Sequence, residues 1–312
     1  MKFSDKANIA KTFLLGGIIL TSLYNCSSDN DTTEPVVYSK YISEVLDYMP
    51  APGQFTNDLP KYNTGDTKKD MIQKANDAIA KGANGMIHLG GFGGYVTFRF
   101  DHTVANGEGA DFKILGNTFA GSSEPGIIMV AWDKNKNGKP DEDEWYEIAG
   151  SEYFKDTTIK NYSITYYKPD ESKTPVKGSA NWQTDTEYIR WEDNQGSKGY
   201  LTKNSFHKQS YYPTWLGESS ITFKGTRVAD NFKQGTNGIW SSAAFEFGYA
   251  DNATNDNDAS NIDISWAVDK SGKYVKLPGI DFVKVYSAIR QENGMLGEVS
   301  TEVTGAYDLR IK

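Results

Sequence analysis

The sequence predicts a mainly β protein, with an antiparallel β-sandwich or jelly-roll-like fold, one N-terminal helix and long loops. Short runs of β-branched and aromatic residues recur beyond residue 94, and each is bounded by Gly, Pro, Asn or Asp. Because no helical pattern separates these runs, antiparallel pairing is favoured over a parallel α/β sheet. The runs are 95–100, 111–115, 127–132, 145–148, 162–167, 221–224, 244–249, 262–268 and 282–288.

The one convincing helix is predicted over residues 67–81. Asp66 or Thr67 can cap its N-terminus, and Gly82 ends it, because glycine adopts the left-handed conformation that closes many helices. Helical spacing places four apolar side chains on one face. They are Met71, Ile72, Ala75 and Ile79.

Two further segments flank the expected sandwich, which is predicted to occupy residues 38–312. Residues 38–48 have the composition of a short helix and are followed by Met-Pro-Ala-Pro-Gly, which breaks helices. Residues 168–220 are polar and weakly periodic, so they are predicted to form a loop-rich insertion.

The N-terminus is predicted to direct export. Lys2, Lys6 and Lys11 accompany an apolar run at 12–23. About a dozen apolar residues, rising 1.5 Å each, are too few to cross a hydrocarbon core of about 30 Å. Residues 1–25 are therefore interpreted as a signal peptide and not as a spanning helix.

The apolar run leads to Cys26, the only cysteine in the chain. This arrangement resembles the lipobox of bacterial lipoproteins, in which the cysteine is acylated. Leu23 matches that pattern, whereas Asn25 departs from the small residue usual before the cysteine. Residues 26–37 resemble the acidic, disordered tether of Bacteroidota lipoproteins. The resemblance implies a lipid anchor in the outer membrane, facing the cell exterior. The alternative is an ordinary secretory signal followed by a solvated linker.

The charge and cysteine content restrict the possible partners. The formal net charge is −8, which argues against nucleic acid or anionic lipid as a partner, since both require basic patches. With one cysteine, no disulfide can form within the chain. Stability must therefore come from core packing or from a bound metal.

Residues 133–144 match the twelve-residue calcium loop D-x-[DN]-x-[DN]-G-x5-E at every specified position. Gly138 stands where the loop turns sharply, and a hard cation such as Ca²⁺ requires a shell of oxygen atoms. The predicted ligands are the side chains of Asp133, Asn135, Asn137, Asp141 and Glu144 and the main-chain carbonyl of Lys139.

Predicted strands flank this loop, so a structural Ca²⁺ is expected in a β-hairpin and not in a helix–loop–helix unit. The alternative is a solvated turn held by its own Asn and Asp side chains. A second acidic stretch, 251–258, lacks fixed spacing and is expected to be a solvated loop.

No pattern of catalytic residues is found, and the chain is predicted not to be an enzyme. The three histidines, His88, His102 and His207, lack metal-ligand spacing and are interpreted as structural. The glycine-rich run 90–94 leads into a strand and is interpreted as a tight turn. Paired carboxylates of a glycosidase can come from distant strands. The available ones include Glu144, Glu147, Glu192, Asp193, Glu246 and Asp281.

An aromatic and polar zone at 182–215 is the predicted ligand-binding face. Flat rings interleaved with amide and charged groups suit a sugar ring or a corrin. The alternative is that these rings fill the core of the sandwich. The candidate residues are Trp182, Tyr188, Arg190, Trp191, Tyr200, Tyr211, Tyr212 and Trp215.

Several segments together resemble a family of Bacteroidota cell-surface lipoproteins from nutrient-uptake loci. They are 90–104, 111–119, 124–126, the calcium loop with 145–153, and 263–286. The resemblance covers about 40–307. It implies an accessory factor of a TonB-dependent transporter, and some members of the family are associated with cobalamin acquisition.

The predicted function is therefore capture of a scarce nutrient, with a corrinoid such as vitamin B12 ahead of a glycan, and transfer to a TonB-dependent transporter. One alternative is a carbohydrate-active hydrolase or lyase on a jelly-roll scaffold. Another is a structural or adhesive surface protein.

Overall fold

The computed structural model describes residues 36–312. The predicted signal peptide, Cys26 and nearly all of the tether lie outside the described residues. Residues 38–312 form one compact unit. It contains several antiparallel sheets and one α-helix, so the predicted mainly β sandwich class is confirmed.

The predicted helix is present as α1 (Lys68–Ile79). Thr67 caps it: its hydroxyl accepts from the Asp70 N–H, and the Asp70 carboxylate accepts from the Thr67 N–H at 2.8 Å. Within residues 36–312, the structure contains no helix with the length and apolarity that a bilayer crossing requires. Short 3₁₀ helices are present at Asp258–Ser260, Ile264–Trp266 and Gly294–Leu296.

The rest of the regular structure is extended. Each strand is short enough to fit within one layer of a sandwich. The strands of the described residues are β1 (Glu44–Met49), β2 (Ile87–His88), β3 (Tyr95–Ala105), β4 (Phe112–Leu115), β5 (Gly126–Ala131), β6 (Trp145–Ile148), β7 (Ile159–Tyr167), β8 (Gln183–Asp193), β9 (Lys198–Asn204), β10 (Ser220–Arg227), β11 (Phe232–Gln234), β12 (Trp240–Ser242), β13 (Asn261–Ile262), β14 (Ala267–Val268), β15 (Gly279–Ser287), β16 (Glu302–Val303) and β17 (Gly305–Asp308).

The central layer is a six-stranded sheet in the order β1-β3-β15-β5-β6-β14, and it is covered on both faces. Val283 and Val285 of β15 point into a core shared with α1, β4 and β17. Tyr286 points to the opposite face, into a second core shared with the four-stranded sheet β10-β7-β8-β9. This alternation follows from the two-residue repeat of a strand.

The prediction that residues 168–220 form a loop-rich insertion is wrong. The segment contains β8 and β9, which complete the four-stranded sheet. The segment is polar because one face of this sheet meets solvent, and that polarity resembles the polarity of a loop. The exposed side chains include Glu187, Arg190 and Glu192, and the buried ones include Tyr188, Ile189 and Trp191.

The prediction of a short helix at 38–48 is also wrong, because β1 pairs with β3 over Glu44–Met49. A register shift between Val45 and Asp47 moves the alternation by one residue. Val45 and Tyr48 therefore both face the core although they stand three apart, which is the spacing of a helix.

The glycine run 90–94 forms the expected tight turn. Gly90 has φ +72°, and a Cβ there would lie 2.0 Å from the Ala51 carbonyl oxygen. A Cβ on Gly94 would lie 1.8 Å from the Leu89 carbonyl oxygen. Only glycine fits at these positions, because the backbone of the run lies directly against the backbone atoms of Ala51 and Leu89.

Candidate functional site

An open cleft of about 700 Å³ lies between the central sheet and the four-stranded sheet. This volume lies within the range of small-molecule sites, roughly 300–1,000 Å³. The central sheet contributes side chains from β3, β5, β6 and β15, and the second sheet contributes β7 and β10. Loop residues 153–154 and 269–272 also line it, together with Val268 of β14.

The strand register builds the floor of the cleft. Lys284 of β15 pairs with Met129 of β5, which pairs in turn with Glu147 of β6, so these side chains form one cross-strand row. The Lys284 ammonium lies 5.0 Å from the Tyr95 ring centroid and 4.9 Å from that of Trp145. Burial lowers the pKa of Lys284, while the two rings favour its cation.

An incompletely bonded ion pair stands at one side of the cleft. Glu147 Oε2 accepts from the Thr226 hydroxyl at 2.7 Å, but its Oε1 is buried without a hydrogen-bond partner. The Lys160 ammonium lies 3.9 Å from that Oε1, beyond hydrogen-bonding distance, and 2.8 Å from the Tyr153 ring centroid. A ligand group that both donates and accepts, such as a hydroxyl or an amide, can bridge the two charges from the side, since 3.9 Å leaves no room for an atom directly between them.

The surroundings shift the pKa values of both partners. Burial raises the pKa of Glu147, although Lys160 opposes the shift. Burial also lowers the pKa of Lys160 to about 8, and Glu147 opposes that shift. Shifted titratable groups in a cleft are typical of functional sites.

The cleft is locally positive in a negative protein. Four lysines and two acidic residues line it, which is an excess of two positive charges, whereas the whole chain carries −8. A cleft of one sign raises the local concentration of ligands of the opposite sign. The charged lining residues are Lys160, Lys224, Lys270, Lys284, Glu147 and Asp269.

An aromatic side chain stands at the rim. Phe154 is 61% exposed, and its ring lies 4.8 Å from the Tyr153 ring and 5.8 Å from the Tyr274 ring, centroid to centroid. Exposed rings beside a polar cleft suit a ligand with a flat apolar face.

The predicted binding face at 182–215 is not assembled as one surface. Tyr188, Trp191, Tyr211 and Tyr212 are buried in the core between the sheets. Their polar atoms are used inside the protein; the Tyr211 hydroxyl, for example, accepts from the Asn204 N–H at 3.1 Å. For these four residues the structure agrees with the alternative that aromatic residues fill the core.

The other four members lie apart from one another. Trp182 is half-buried before β8, and Trp215 packs with a ring separation of 6.4 Å beside Tyr48. Arg190 is exposed over the Tyr167 ring, with 3.5 Å from its guanidinium carbon to the centroid. Tyr200 is 41% exposed.

Trp191 and Tyr200 share a smaller cavity of about 200 Å³ with Arg290 and Glu292. Burial raises the pKa of Glu292 to about 7. None of the eight predicted ligand residues lines the large cleft. Their role in binding remains a prediction.

The calcium loop joins β5 to β6, as the strand-flanked hairpin prediction required. Gly138 has φ +72°, and the Asp133 carboxylate accepts from the N–H groups of Asn137 and Gly138 at 3.0 and 2.7 Å. The Asp141 carboxylate accepts from the side-chain amides of Asn135 and Asn137 at 2.7 and 2.8 Å. The predicted side chains therefore converge.

The remaining loop residues differ in burial. Glu144 is 2% exposed and accepts from the Lys134 N–H at 2.9 Å, whereas Lys139 is exposed and donates its N–H to Asn137 at 2.7 Å. Asp281 of β15 accepts from the Asp133 N–H at 2.8 Å and fixes the loop to the sheet. The donor set is that of a hard cation, and Ca²⁺ binding remains a prediction.

The histidines and the second acidic stretch are partly buried. His102 lies between Asp101 and Asp308, at 2.7 and 2.9 Å, as expected of a structural histidine. His88 is fully buried. Asp251 is also buried, so the expectation of a solvated loop is wrong at that position.

The sequence did not identify the cleft residues as a site, although it contains two features that point to them. The calcium loop closes a hairpin, so pairing of β5 with β6 follows from it and places Glu147 beside Met129. Lys284 and Asp281 are the two charged residues of the otherwise largely apolar strand β15, and a charged side chain in such a strand is a signal of a functional position.

The chain matches no protein-family model and no curated protein.

Proposed function

We propose that the chain is a surface-anchored outer-membrane lipoprotein that captures a small polar nutrient in the sheet cleft and passes it to a TonB-dependent transporter. The observation that carries the proposal is the unpaired Glu147 Oε1 facing Lys160 inside an open, aromatic and positively charged cleft. A buried polar atom without a partner costs free energy, and a ligand that supplies the partner recovers it.

The first ligand candidate is a corrinoid. A corrin ring offers a flat face for Trp145 and Phe154, its amide groups both donate and accept, and its phosphate suits the lysines of the cleft. An acidic glycan is the alternative, because a sugar hydroxyl also donates and accepts and can bridge Glu147 and Lys160. The candidates share a polar edge, an apolar face and a negatively charged group.

Transfer to a transporter requires reach as well as binding. A tether of the length of 26–37, fully extended at about 3.3–3.6 Å per residue, spans roughly 40 Å. Acylation at Cys26 would hold the binding module within that distance of the membrane. The cleft opens to solvent, so a ligand can leave by the route through which it entered.

A second candidate function, a carbohydrate-active lyase or hydrolase, is favoured by one observation. Lys160, with a pKa of about 8, and the buried Glu147 offer a base and an acid in the same cleft. In this alternative the pair would move protons on the sugar and would not merely bind its hydroxyl.

Titration of the full-length chain in detergent with cobalamin tests the proposal, since the ligand absorbs visible light and quenches nearby tryptophans. We expect quenching at micromolar ligand. Trp145→Ala should weaken binding about tenfold or more, because loss of a stacked ring costs on the order of 1–2 kcal/mol. The matched control is Trp182→Ala, which removes a half-buried tryptophan outside the cleft.

The same titration with an acidic oligosaccharide separates the two ligand candidates. Equal losses in Trp145→Ala and Trp182→Ala would contradict the cleft as the site. Product formed from the oligosaccharide by the wild type, and lost in Lys160→Met, would replace capture by catalysis.

A further inference from the structure

Three carboxylates from distant parts of the chain meet inside the protein. They belong to Glu124, just before β5, Asp251, in the turn after residue 250, and Glu302 on β16. One oxygen atom of each lies within 4.8 Å of the others. Asp251 and Glu302 are 3% and 4% exposed, and Glu124 is half-buried.

Backbone and hydroxyl donors hold two of these groups in place. Asp251 Oδ1 accepts from the Thr118 N–H at 3.0 Å and from the Thr118 hydroxyl at 2.7 Å, and its Oδ2 accepts from the Glu302 N–H at 3.0 Å. Glu302 Oε1 accepts from the Ser300 hydroxyl at 2.6 Å and contacts His88 Nδ1 at 2.8 Å. The cluster is therefore fixed before any ligand arrives.

The negative charge of the cluster is not balanced by the protein. Glu298 adds a fourth carboxylate, with its Oε1 3.4 Å from His88 Nε2. Among residues 36–312, His88 is the only basic side chain within 4.0 Å of any of the four. One imidazolium cannot neutralise four ionised carboxylates, and a bound cation would offset the burial and the mutual repulsion that raise the pKa of Asp251 and of Glu124.

A second observation concerns a cavity that is lined by two of the three cluster residues. Glu124, Glu298 and Glu302 line a cavity of about 230 Å³, and Asn293 lines it too. Asn293 is 2% exposed, and its Oδ1 is buried without a hydrogen-bond partner. Buried amide oxygens are nearly always bonded, so an occupant of this cavity, a cation or a water molecule, is expected to contact this oxygen.

We propose that Glu124, Asp251 and Glu302 bind a divalent cation, with Ca²⁺ as the best fit. Ca²⁺ takes oxygen ligands at 2.3–2.6 Å, so two ligands on opposite sides of one ion are roughly 5 Å apart. Oxygen atoms that all lie within 4.8 Å of one another are therefore close enough to contact a single ion. The cavity has room for water molecules, each occupying about 30 Å³, to complete the shell. This site is separate from loop 133–144.

The cation would join three chain segments that no disulfide can join. It would link the approach to β5, the turn at 251 and the C-terminal strand β16. Because neighbouring carboxylates repel one another, this part of the fold is expected to be the most dependent on the ion.

Counting bound ions in Glu124→Gln tests the proposal. Glu124 is the right position because its carboxylate has a single long hydrogen bond, from the Ser300 N–H at 3.4 Å, so the amide should leave the fold intact. Full-length protein is freed of metal with chelator, dialysed against millimolar Ca²⁺ and analysed for bound metal. We expect Glu124→Gln to bind one Ca²⁺ fewer per chain than the wild type.

The matched control is Glu292→Gln, which changes a half-buried carboxyl in the neighbouring cavity and should retain every ion. Asp133→Asn should remove a different ion, so the double variant with Glu124→Gln should lose both. If Glu124→Gln fails to fold, Asp251→Asn serves the same count. Equal numbers of ions in the wild type and in the cluster variants would overturn the proposal.

Discussion

Loop 133–144 and the cluster of Glu124, Asp251 and Glu302 are both oxygen-rich, yet they are built in opposite ways. The loop takes its oxygens from twelve consecutive, mostly exposed residues, and its backbone N–H groups already bond to them. The cluster takes its oxygens from positions separated by up to 178 residues (302 − 124), and two of its three residues are buried. The comparison teaches that a local site can be found by spacing, whereas a distributed site is created by sheet order.

The largest expected effect is the loss of protein stability when the cluster residue Asp251 is removed. Asp251→Ala removes a buried acceptor of four donors, from Asn117, Thr118 and Glu302. Its free energy of unfolding should fall by about 3 kcal/mol or more, because each buried donor left unpaired costs roughly 1–3 kcal/mol.

Urea denaturation with and without chelator measures this loss. The control is Asp251→Asn, which keeps an acceptor oxygen and tolerates the positive φ of +48° at this position. Equal losses in the alanine and asparagine variants would show that the hydrogen bonds do not fix the cluster.

The loop should respond more weakly, and only when calcium is present. Asp133→Ala should lower the free energy of unfolding by about 0.4–1.4 kcal/mol in 1 mM Ca²⁺, given dissociation constants on the order of 10⁻⁴–10⁻³ M for extracellular sites. In excess chelator the difference should nearly disappear. Thermal melts under both conditions test this, and equal destabilisation in both would refute a metal role for the loop.

The cleft and the aromatic zone at 182–215 form a second contrast of the same kind. The zone is contiguous in sequence and mostly buried, whereas the cleft gathers Trp145, Lys160 and Lys284 from three separate strands. The order β3-β15-β5-β6 makes neighbours of side chains that lie about half the chain apart.

The smallest expected effect is the pH dependence of ligand affinity in the cleft. Lys160 has a pKa of about 8, below the usual value, so it is mostly charged at pH 7 and mostly neutral at pH 9. Affinity for an anionic ligand should therefore fall as pH rises through 8. The fall should be about two- to fivefold, since a half-exposed ion pair contributes roughly 0.5–1 kcal/mol.

Fluorescence titrations of cobalamin at pH 7 and 9 measure this fall. Lys160→Arg keeps its charge throughout that range and should lose the pH dependence. The same decline in wild type and Lys160→Arg would assign the effect to another group.

The sequence predicts the features that depend on neighbours along the chain. The capping box of Thr67 and Asp70, the turn at Gly138 and the glycine turn at 90–94 are determined within a few residues, and all are present. The bulge in β1 escaped prediction because it depends on pairing with β3. Two buried aromatic residues, Tyr211 and Trp191, resembled a binding face because core and binding rings have the same composition.

The candidate sites were less predictable than the fold. The calcium loop was found because its ligands follow one motif. Asp251 lies in a polar run typical of a solvated loop, and only the contacts with Thr118 and Glu302 explain its burial. Lys284 and Glu147 become neighbours through Met129, so their approach requires the full strand order.

Hydrogen–deuterium exchange of the full-length chain with and without saturating cobalamin tests the central claim most directly. If the sheet cleft holds the ligand, protection should appear in the loops that close it, 150–158 and 269–273, and exchange over 182–215 should not change. Protection confined to 182–215 would contradict the cleft as the capture site and would place the ligand on the aromatic zone instead.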